Sequence, residues 1–417
     1  MIYKIGELCD VYDGPHATPK ETENGPVYLG IKAITEQGRI DSSQFKYLSN
    51  EDYIKWTKRV TPQSNDIVFS YEATLGRYAI IPDGFHGCLG RRLAIVRVRD
   101  NKKLNYKYLY YYFLSPIWKA FISNNTVSGS TVDRISIDEF PNYEIEVPEI
   151  KIQNMIVSIL DAVDTKIDIN IKTINTLESM AKTLYDYWFV QFDFPDANGR
   201  PYKNSGGKMV WNEELGREIP AGWETGQVSD LGDVVAGGTP STEHPEYFIL
   251  DGIAWITPKD MSLLDGKYIF HGATDISEEG LKNSSAKLMP AGSVVYTTRA
   301  PIGYVAVAGN DVCTNQGFKS VVPKEHIGTE FVYYTLKSLE EHFKNVGNGS
   351  TFSEVSKETF STVPICIPPQ EIIRGFRTLV NKWSHMQKKT QLENRKLIAL
   401  RDFLLPMLMN GQVTFCS

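Results

Sequence analysis

Two stretches of the chain, GSTVDRISIDEFPNYEIEVP at 129–148 and GSTFSEVSKETFSTVPICIP at 349–368, decide how the rest is read. Gly129, Ser130, Thr131, Ser136, Phe140, Ile145 and Pro148 meet Gly349, Ser350, Thr351, Ser356, Phe360, Ile365 and Pro368. That is seven identities in twenty positions, where chance gives about one. The match continues upstream with small changes of offset. Asp66-Ile67-Val68-Phe69-Ser70 meets Ser293-Val294-Val295-Tyr296-Thr297, Leu75-Gly76 meets Ile302-Gly303, and Leu8-Cys9-Asp10-Val11 meets Leu231-Gly232-Asp233-Val234. The chain is a duplication.

Each copy has two parts. The first, 1–150 and again 220–368, carries short apolar runs broken by Gly, Pro and Asn, such as Asp66–Ser70, Arg92–Arg99, Ser293–Thr298 and Ile302–Ala308. These read as strands between turns, with helices at Tyr106–Leu114 and Thr329–Leu339. The aromatic run Tyr106–Phe113 has helical apolar spacing, as does its counterpart with Phe331, Tyr333 and Tyr334, and we read both as packing rather than base stacking. The second part is a rod. Ile156, Ile159, Val163, Ile167, Ile171, Ile174, Leu177, Ala181, Leu184 and Trp188 recur at steps of three and four with no Pro or Gly between them, the mark of a long helix with one apolar seam. A helix over 151–188 is about 57 Å long at ~1.5 Å per residue. The second copy repeats the seam through Ile372, Phe376, Leu379, Trp383, Met386, Leu397, Leu400 and Leu404, weakened where Thr390 and Glu393 fall. The expected partner of each rod is the other, antiparallel, with the polar linker supplying slack for the chain to reverse. The expected fold class is therefore α+β: two mixed α/β domains with twisted sheets (1–150 and 220–368), a first long helix (151–190), a linker (191–219), and a second long helix with the C-terminal tail (369–417). An approximate two-fold axis then relates the copies, with the globular domains at opposite ends of the rods.

Lys and Arg number 44 against 50 Asp and Glu, a formal charge of −6, so any nucleic-acid surface must be local. No apolar run is long enough for a membrane span, and the N-terminus lacks the pattern of a cleaved signal. The five cysteines form no C-x-x-C pair, which points to a reduced, cytoplasmic setting and against a zinc ribbon or disulfide framework. There is no P-loop, no H-E-x-x-H and no G-x-S-x-G. Pro368-Pro369 is followed by Gln370, so the Asn/Asp-Pro-Pro-aromatic motif of amino-group DNA methyltransferases is missing. The sum favours a binding protein without catalytic residues, cofactor or metal.

The layout resembles the specificity subunit of type I DNA restriction-modification systems, and the phrases that carry this run in order along the chain. They are Trp188-Phe189-Val190 with Phe192-Asp193, Pro220-Ala221-Gly222-Trp223, Thr298-Arg299-Ala300-Pro301-Ile302-Gly303, Asn315-Gln316-Gly317-Phe318, Gly349-Ser350-Thr351, Pro368-Pro369-Gln370-Glu371 and Leu404-Leu405-Pro406-Met407-Leu408. The resemblance implies two target-recognition domains, each reading half of a split double-stranded DNA site. It also implies helical regions that set the gap and dock two methyltransferase subunits, with restriction (motor) subunits joining. The first copy departs from the pattern: Glu72 stands where Arg299 stands, and Gly90-Arg91-Arg92-Leu93 replaces Asn315-Gln316-Gly317-Phe318. Gln153, which the family favours, is matched by Ile373. Unlike domains imply an asymmetric site.

Arg suits guanine and Asn or Gln suits adenine by bidentate geometry. The candidates are Arg299, Asn315, Gln316 and Lys319 in the second copy and Arg77, Arg91 and Arg92 in the first. Ser130, Thr131, Ser350 and Thr351 read either as turn chemistry or as a phosphate-holding loop. Arg97, Arg99, Lys102 and Lys103 are expected to add a basic cluster. Trp188, Phe189, Trp383 and Leu404 are expected in the core or at a partner interface. The rival functions are a DNA methyltransferase or nuclease with an unrecognised motif, and a coiled-coil scaffold that joins proteins without touching DNA.

Overall fold

The computed structural model describes residues 1–126, 133–299, 301–347 and 354–413. Contacts divide the chain into two compact units, Met1–Ile167 with Lys396–Ser417, and Asp168–Arg395. The division falls inside both long helices, so each unit holds one globular part and a stretch of each helix. This differs from the expected domain-then-rod partition.

In the first unit a four-stranded antiparallel sheet has the order Cys9–Asp13, Leu93–Val98, Ile67–Ser70, Tyr78–Ile80. Ile67 and Phe69 enter one core cluster and Val68 another. Alternate side chains of a strand point to opposite faces, so a wholly apolar run is buried on both. Thr22–Leu29 runs parallel to Gly87–Leu89, and Ile2–Lys4 pairs with Glu144–Glu146. The second unit repeats the order: Gly232–Ala236, Lys319–Pro323, Val294–Thr298, Ile302–Ala308, with Tyr268–Ile269 added at the edge. Ala254–Ile256 runs parallel to Val312–Thr314, and Glu224–Gln227 pairs with Pro364–Ile367. The duplication read from sequence is thus a duplication of topology. Helices Tyr106–Leu114 and Thr329–Ser338 occupy equivalent places, and Tyr108, Tyr110–Phe113, Phe331, Tyr333 and Tyr334 are buried in the cores.

The long helices run Ile150–Tyr185, ending in a wide turn over Asp186–Val190, and Gln370–Met409. They pack antiparallel within each unit. In the first, Arg401 donates to Asp164 at 3.2 Å. In the second, Asn170 donates to Glu393 at 2.9 Å, Gln387 donates to the Ile174 carbonyl at 3.3 Å, and the Trp188 and Phe376 rings lie 6.1 Å apart. Gln153 pins the start of the first helix, accepting from the Asn105 N–H and donating to the Lys103 and Pro148 carbonyls.

The buried face of the second helix is not the apolar seam of the sequence reading. Ile373, Phe376, Val380, Ser384, Gln387, Gln391, Asn394, Arg401, Leu405 and Leu408 are buried, whereas Leu379, Met386 and Leu400 are exposed. The seam is turned by about one residue, because its middle is a polar network that hydropathy cannot see. Gln391 donates to the Tyr268 carbonyl at 2.6 Å and accepts from the Tyr268 N–H at 3.0 Å. Lys267 reaches Glu330 and, at 3.0 Å, Ser384. Glu178 accepts from Lys337 at 2.7 Å and Tyr334 at 2.9 Å. Burial pushes the Glu178 carboxyl up, but Lys337, Lys267 and these hydrogen bonds outweigh it and hold the carboxyl below the usual range. A depressed carboxylate stabilises the fold above its unfolded pKa and loses that effect as pH falls through its folded value. Glu178→Gln is therefore expected to cost about 1–3 kcal/mol at pH 7. The gap from wild type should narrow below about pH 4.3, as urea unfolding across pH will show; an unchanged gap would refute it.

The linker is also folded rather than slack. Phe192 and Phe194 are buried, Phe194 stacks on Tyr202 at 4.6 Å, and Met209–Asn212 pairs with Arg217–Pro220. Trp188 and Phe189 lie in the same core against Phe376, Phe331 and Trp223. Trp383 packs on that core and Leu404 on the core of the first unit. Trp188 and Phe189 are buried, while Trp383 and Leu404 keep part of their surface exposed. Among the described residues no helix is long and apolar enough to cross a membrane.

Candidate nucleic-acid interface

In the second unit, strands Val294–Thr298 and Ile302–Ala308 form a hairpin whose register shifts between Tyr296 and Thr298. Such a shift re-aims the side chains at the strand end. That end is clamped from both sides: the Thr298 N–H donates to Gly317 at 2.8 Å, and the Val355 N–H donates to the Thr298 carbonyl at 3.0 Å. The turn at Asn315 is held by its own side chain, which accepts from the Gly317 N–H at 2.9 Å, an Asx turn. Asn315, a candidate base reader, is thus engaged in shaping the turn. Gly237 approaches so closely that a Cβ there would lie 1.9 Å from the Asn315 carbonyl oxygen. This contact brings in Thr239, whose hydroxyl donates to the exposed Gln316 side chain. With that oxygen anchored, the Gln316 amide is oriented before any ligand arrives.

Arg299 stands across an isolated antiparallel bridge from Glu354, its Nη1 3.7 Å from Glu354 Oε2. Lys319 Nζ lies 3.6 Å from the other carboxylate oxygen. Arg299 and Glu354 are 39% and 38% exposed at the side chain and Lys319 only 9%, so Arg299 can reach outward while Lys319 serves as a buried counter-charge.

The first unit builds the same frame from different side chains. The Tyr71 N–H donates to Arg92 at 3.1 Å and the Ile135 N–H donates to Tyr71 at 2.8 Å. Gly14 faces Gly90 as Gly237 faces Asn315, a Cβ falling 2.8 Å from the Gly90 oxygen. Glu72 stands across an isolated bridge from Arg134. Arg92 sits at φ +73 with its Nε 2.9 Å from Glu72, a conformation uncommon outside glycine. Arg77 is tied to the Ile34 carbonyl at 3.0 Å and to Glu36 at 3.4 Å. Arg91 is exposed, its backbone N–H donating to the Tyr28 hydroxyl at 3.0 Å. Burial, with Asp13 and Glu72 nearby, pushes the Tyr71 phenol up.

Arg77 and Arg92 thus have protein partners, while Arg91 and Gln316 face outward. Ser130, Thr131, Ser350 and Thr351 lie outside the described residues. The expected basic cluster is corrected: Arg97 is bidentate on Asp66 at 2.7 Å and Arg99 pairs with Asp10 at 2.8 Å. Asp66 and Asp10 offset both charges, with Arg97 partly buried, while Arg99, Lys102 and Lys103 remain exposed. Glu354, Arg134 and Thr239 were missed. Glu354 faces Arg299 and Arg134 faces Glu72 at equivalent places of the repeat, a signal present in the aligned copies.

The family model described as type I restriction modification DNA specificity domain matches residues 1–179 and again 220–394. Among curated proteins, the chain is 38% identical over 204 residues to the type I restriction enzyme MjaIX specificity subunit of Methanocaldococcus jannaschii, covering 47% of each chain. The match therefore spans about half of that relative. It is 27% identical over 336 residues to the HindI specificity subunit of Haemophilus influenzae, 68% of this chain and 72% of that one. The solved type I restriction-modification S subunit from M. genitalium shares the fold, with a TM-score of 0.59 at 14% identity over 100% of this chain and 96% of that chain. Since the two family matches fall on the two copies whose sheets share one strand order, the chain belongs to the type I restriction modification DNA specificity family.

Proposed function

We propose that this chain is the non-catalytic, sequence-reading subunit of a cytoplasmic type I restriction-modification complex, each unit reading one half of a bipartite, asymmetric site on double-stranded DNA. The observation that carries this is the doubled frame. A clamped strand end and a glycine-backed turn recur in both units, yet the side chains at the matching positions differ: Arg299 and Gln316 in one, Glu72 and Arg91 in the other. A common scaffold with unlike donors and acceptors is what reading two different half-sites requires, because base edges are distinguished by donor and acceptor pattern.

The two long helices fix the gap between half-sites and dock two methyltransferase subunits, with restriction subunits joining the assembly. Support for docking comes from apolar side chains left exposed along the helices: Ile159, Leu400 and Phe403 in the first unit, Ile169, Met180, Leu379 and Met386 in the second. Single exposed apolar residues are ordinary, but seven along two helices support a binding face. The methyltransferase subunits also bring phosphate contacts, which reconciles the acidic total with DNA binding.

The test is methylation of a randomised DNA library by the assembled complex. An Arg299→Ala variant is expected to lose about tenfold or more of its discrimination at one base pair of one half-site, leaving the other half-site intact. A loss spread equally over all sequences would instead make Arg299 a phosphate contact. Sequence-blind methylation by the unmodified complex would overturn the proposal.

A further inference from the structure

The two isolated bridges hold the same three charges in different places. In the second unit a carboxylate, Glu354, sits between the half-exposed Arg299 across the bridge and the buried Lys319 at the start of a strand. In the first unit a carboxylate, Glu72, sits with the exposed Arg134 across the bridge and with Arg92 just before the equivalent strand, Leu93–Val98. Each set has one acid, one arginine across the bridge and one further cation, Lys319 at 9% exposed and Arg92 at 33%. Only the acid and the outward arginine have traded sides. Positions 134 and 354 match in the repeat, as do 72 and 299, and the backbone bonds beside them are the same, Ile135 to Tyr71 and Val355 to Thr298.

Partly exposed ion pairs contribute little to folding, so stability does not explain why both units keep the set. A different demand does. A guanidinium must be aimed to meet O6 and N7 of guanine together, and a carboxylate across the bridge is placed to do so: Glu354 lies 3.7 Å from Arg299, and Glu72 stands across the bridge from Arg134. The inner cation offsets the negative charge that would otherwise repel the DNA backbone. We infer that Arg134 is the guanidinium with which the first unit meets a guanine edge in the major groove, the functional counterpart of Arg299 presented from the opposite side of the bridge. Glu72 and Glu354 are the positioning residues. This rests on the DNA-reading function proposed above and adds a residue to it. It also accounts for Glu72, which otherwise looks like the loss of a base-reading arginine. Arg77 is held by the Ile34 carbonyl and Glu36, and Arg92 by Glu72 itself, while Arg91 occupies the place of Gln316.

The experiment uses the full chain assembled with its methyltransferase subunit on the same randomised library, with thermal unfolding as the check on folding. Arg134→Gln is expected to reduce preference for guanine at one position of one half-site by about tenfold or more, without altering the other half-site. Arg134→Lys keeps the charge but not the fork, so it should lose most of the same discrimination while salt dependence is unchanged. The exchange Glu72→Arg with Arg134→Glu restores the polarity of the second unit and should fold like wild type while moving the preferred guanine. Folded variants that keep the original half-site, or that lose affinity equally for every sequence, overturn the inference alone. An unmodified complex with no sequence preference would overturn the underlying function as well.

Discussion

Lys267→Met is expected to destabilise the second unit by about 3–5 kcal/mol, the largest single-residue effect on stability that we anticipate. Lys267 and Glu330 are almost fully buried, their side chains 1% and 6% exposed. The ammonium also meets Ser384 on the second long helix and lies 4.6 Å and 4.9 Å from the Tyr333 and Tyr334 ring centres. Removing it leaves the Glu330 carboxylate buried without its cation, and an uncompensated buried charge costs far more than the pair contributes. The companion variant separates these effects. Lys267→Met together with Glu330→Leu removes both charges, and apolar replacements of a buried pair are often neutral or stabilising. Most of the loss should therefore be recovered. Urea unfolding of the two variants decides: equal destabilisation by both would show that the pair acts through shape rather than charge. Because Ser384 belongs to the helix and Lys267 to the sheet edge, the single variant should also degrade reading of one half-site more than the other.

The same network marks the limit of what hydropathy patterns reveal. Ile67–Ser70, Leu93–Val98 and Ile302–Ala308 were legible within a residue because each is a mostly apolar, largely buried run bounded by polar or turn residues. The first long helix was legible from unbroken three–four spacing, and the second from the same spacing with a gap at Thr390 and Glu393. The seam of the second was misplaced, since Ser384, Gln387, Gln391 and Asn394 face inward through hydrogen bonds that composition does not encode. The same reasoning applies to residues 191–219, which look like a tether by composition but contribute Phe192, Phe194 and Ile219 to a core. At the candidate interface Arg299 and Gln316 could be named, because arginine and glutamine beside strand ends are plausible readers from residue type alone. Glu354 and Thr239 could not, as their roles come from what they touch across 55 and 77 residues of chain.

Matched insertions of seven residues, one after Ile167 in the first helix and one before Lys396 in the second, are expected to lengthen the permitted gap between half-sites without changing either half-site. Both helices continue through these points, and antiparallel contacts occur on either side, Asp164 with Arg401 and Asn170 with Glu393. Seven residues are close to two helical turns, so the buried face re-forms with a drift of only about 20°. The added length is about 10.5 Å at ~1.5 Å per residue, which corresponds to at most about three base pairs at ~3.4 Å each. The drift also turns the reading groups around the duplex, so the realised gain should fall at or below that ceiling. Inserting in one helix alone is a different perturbation: it slides Asn170 past Glu393 and Ile174 past Gln387, and should impair folding rather than spacing. Methylation mapping of the paired variant gives the answer directly. A folded, active complex whose half-sites keep their original separation would show that something other than these helices sets the gap.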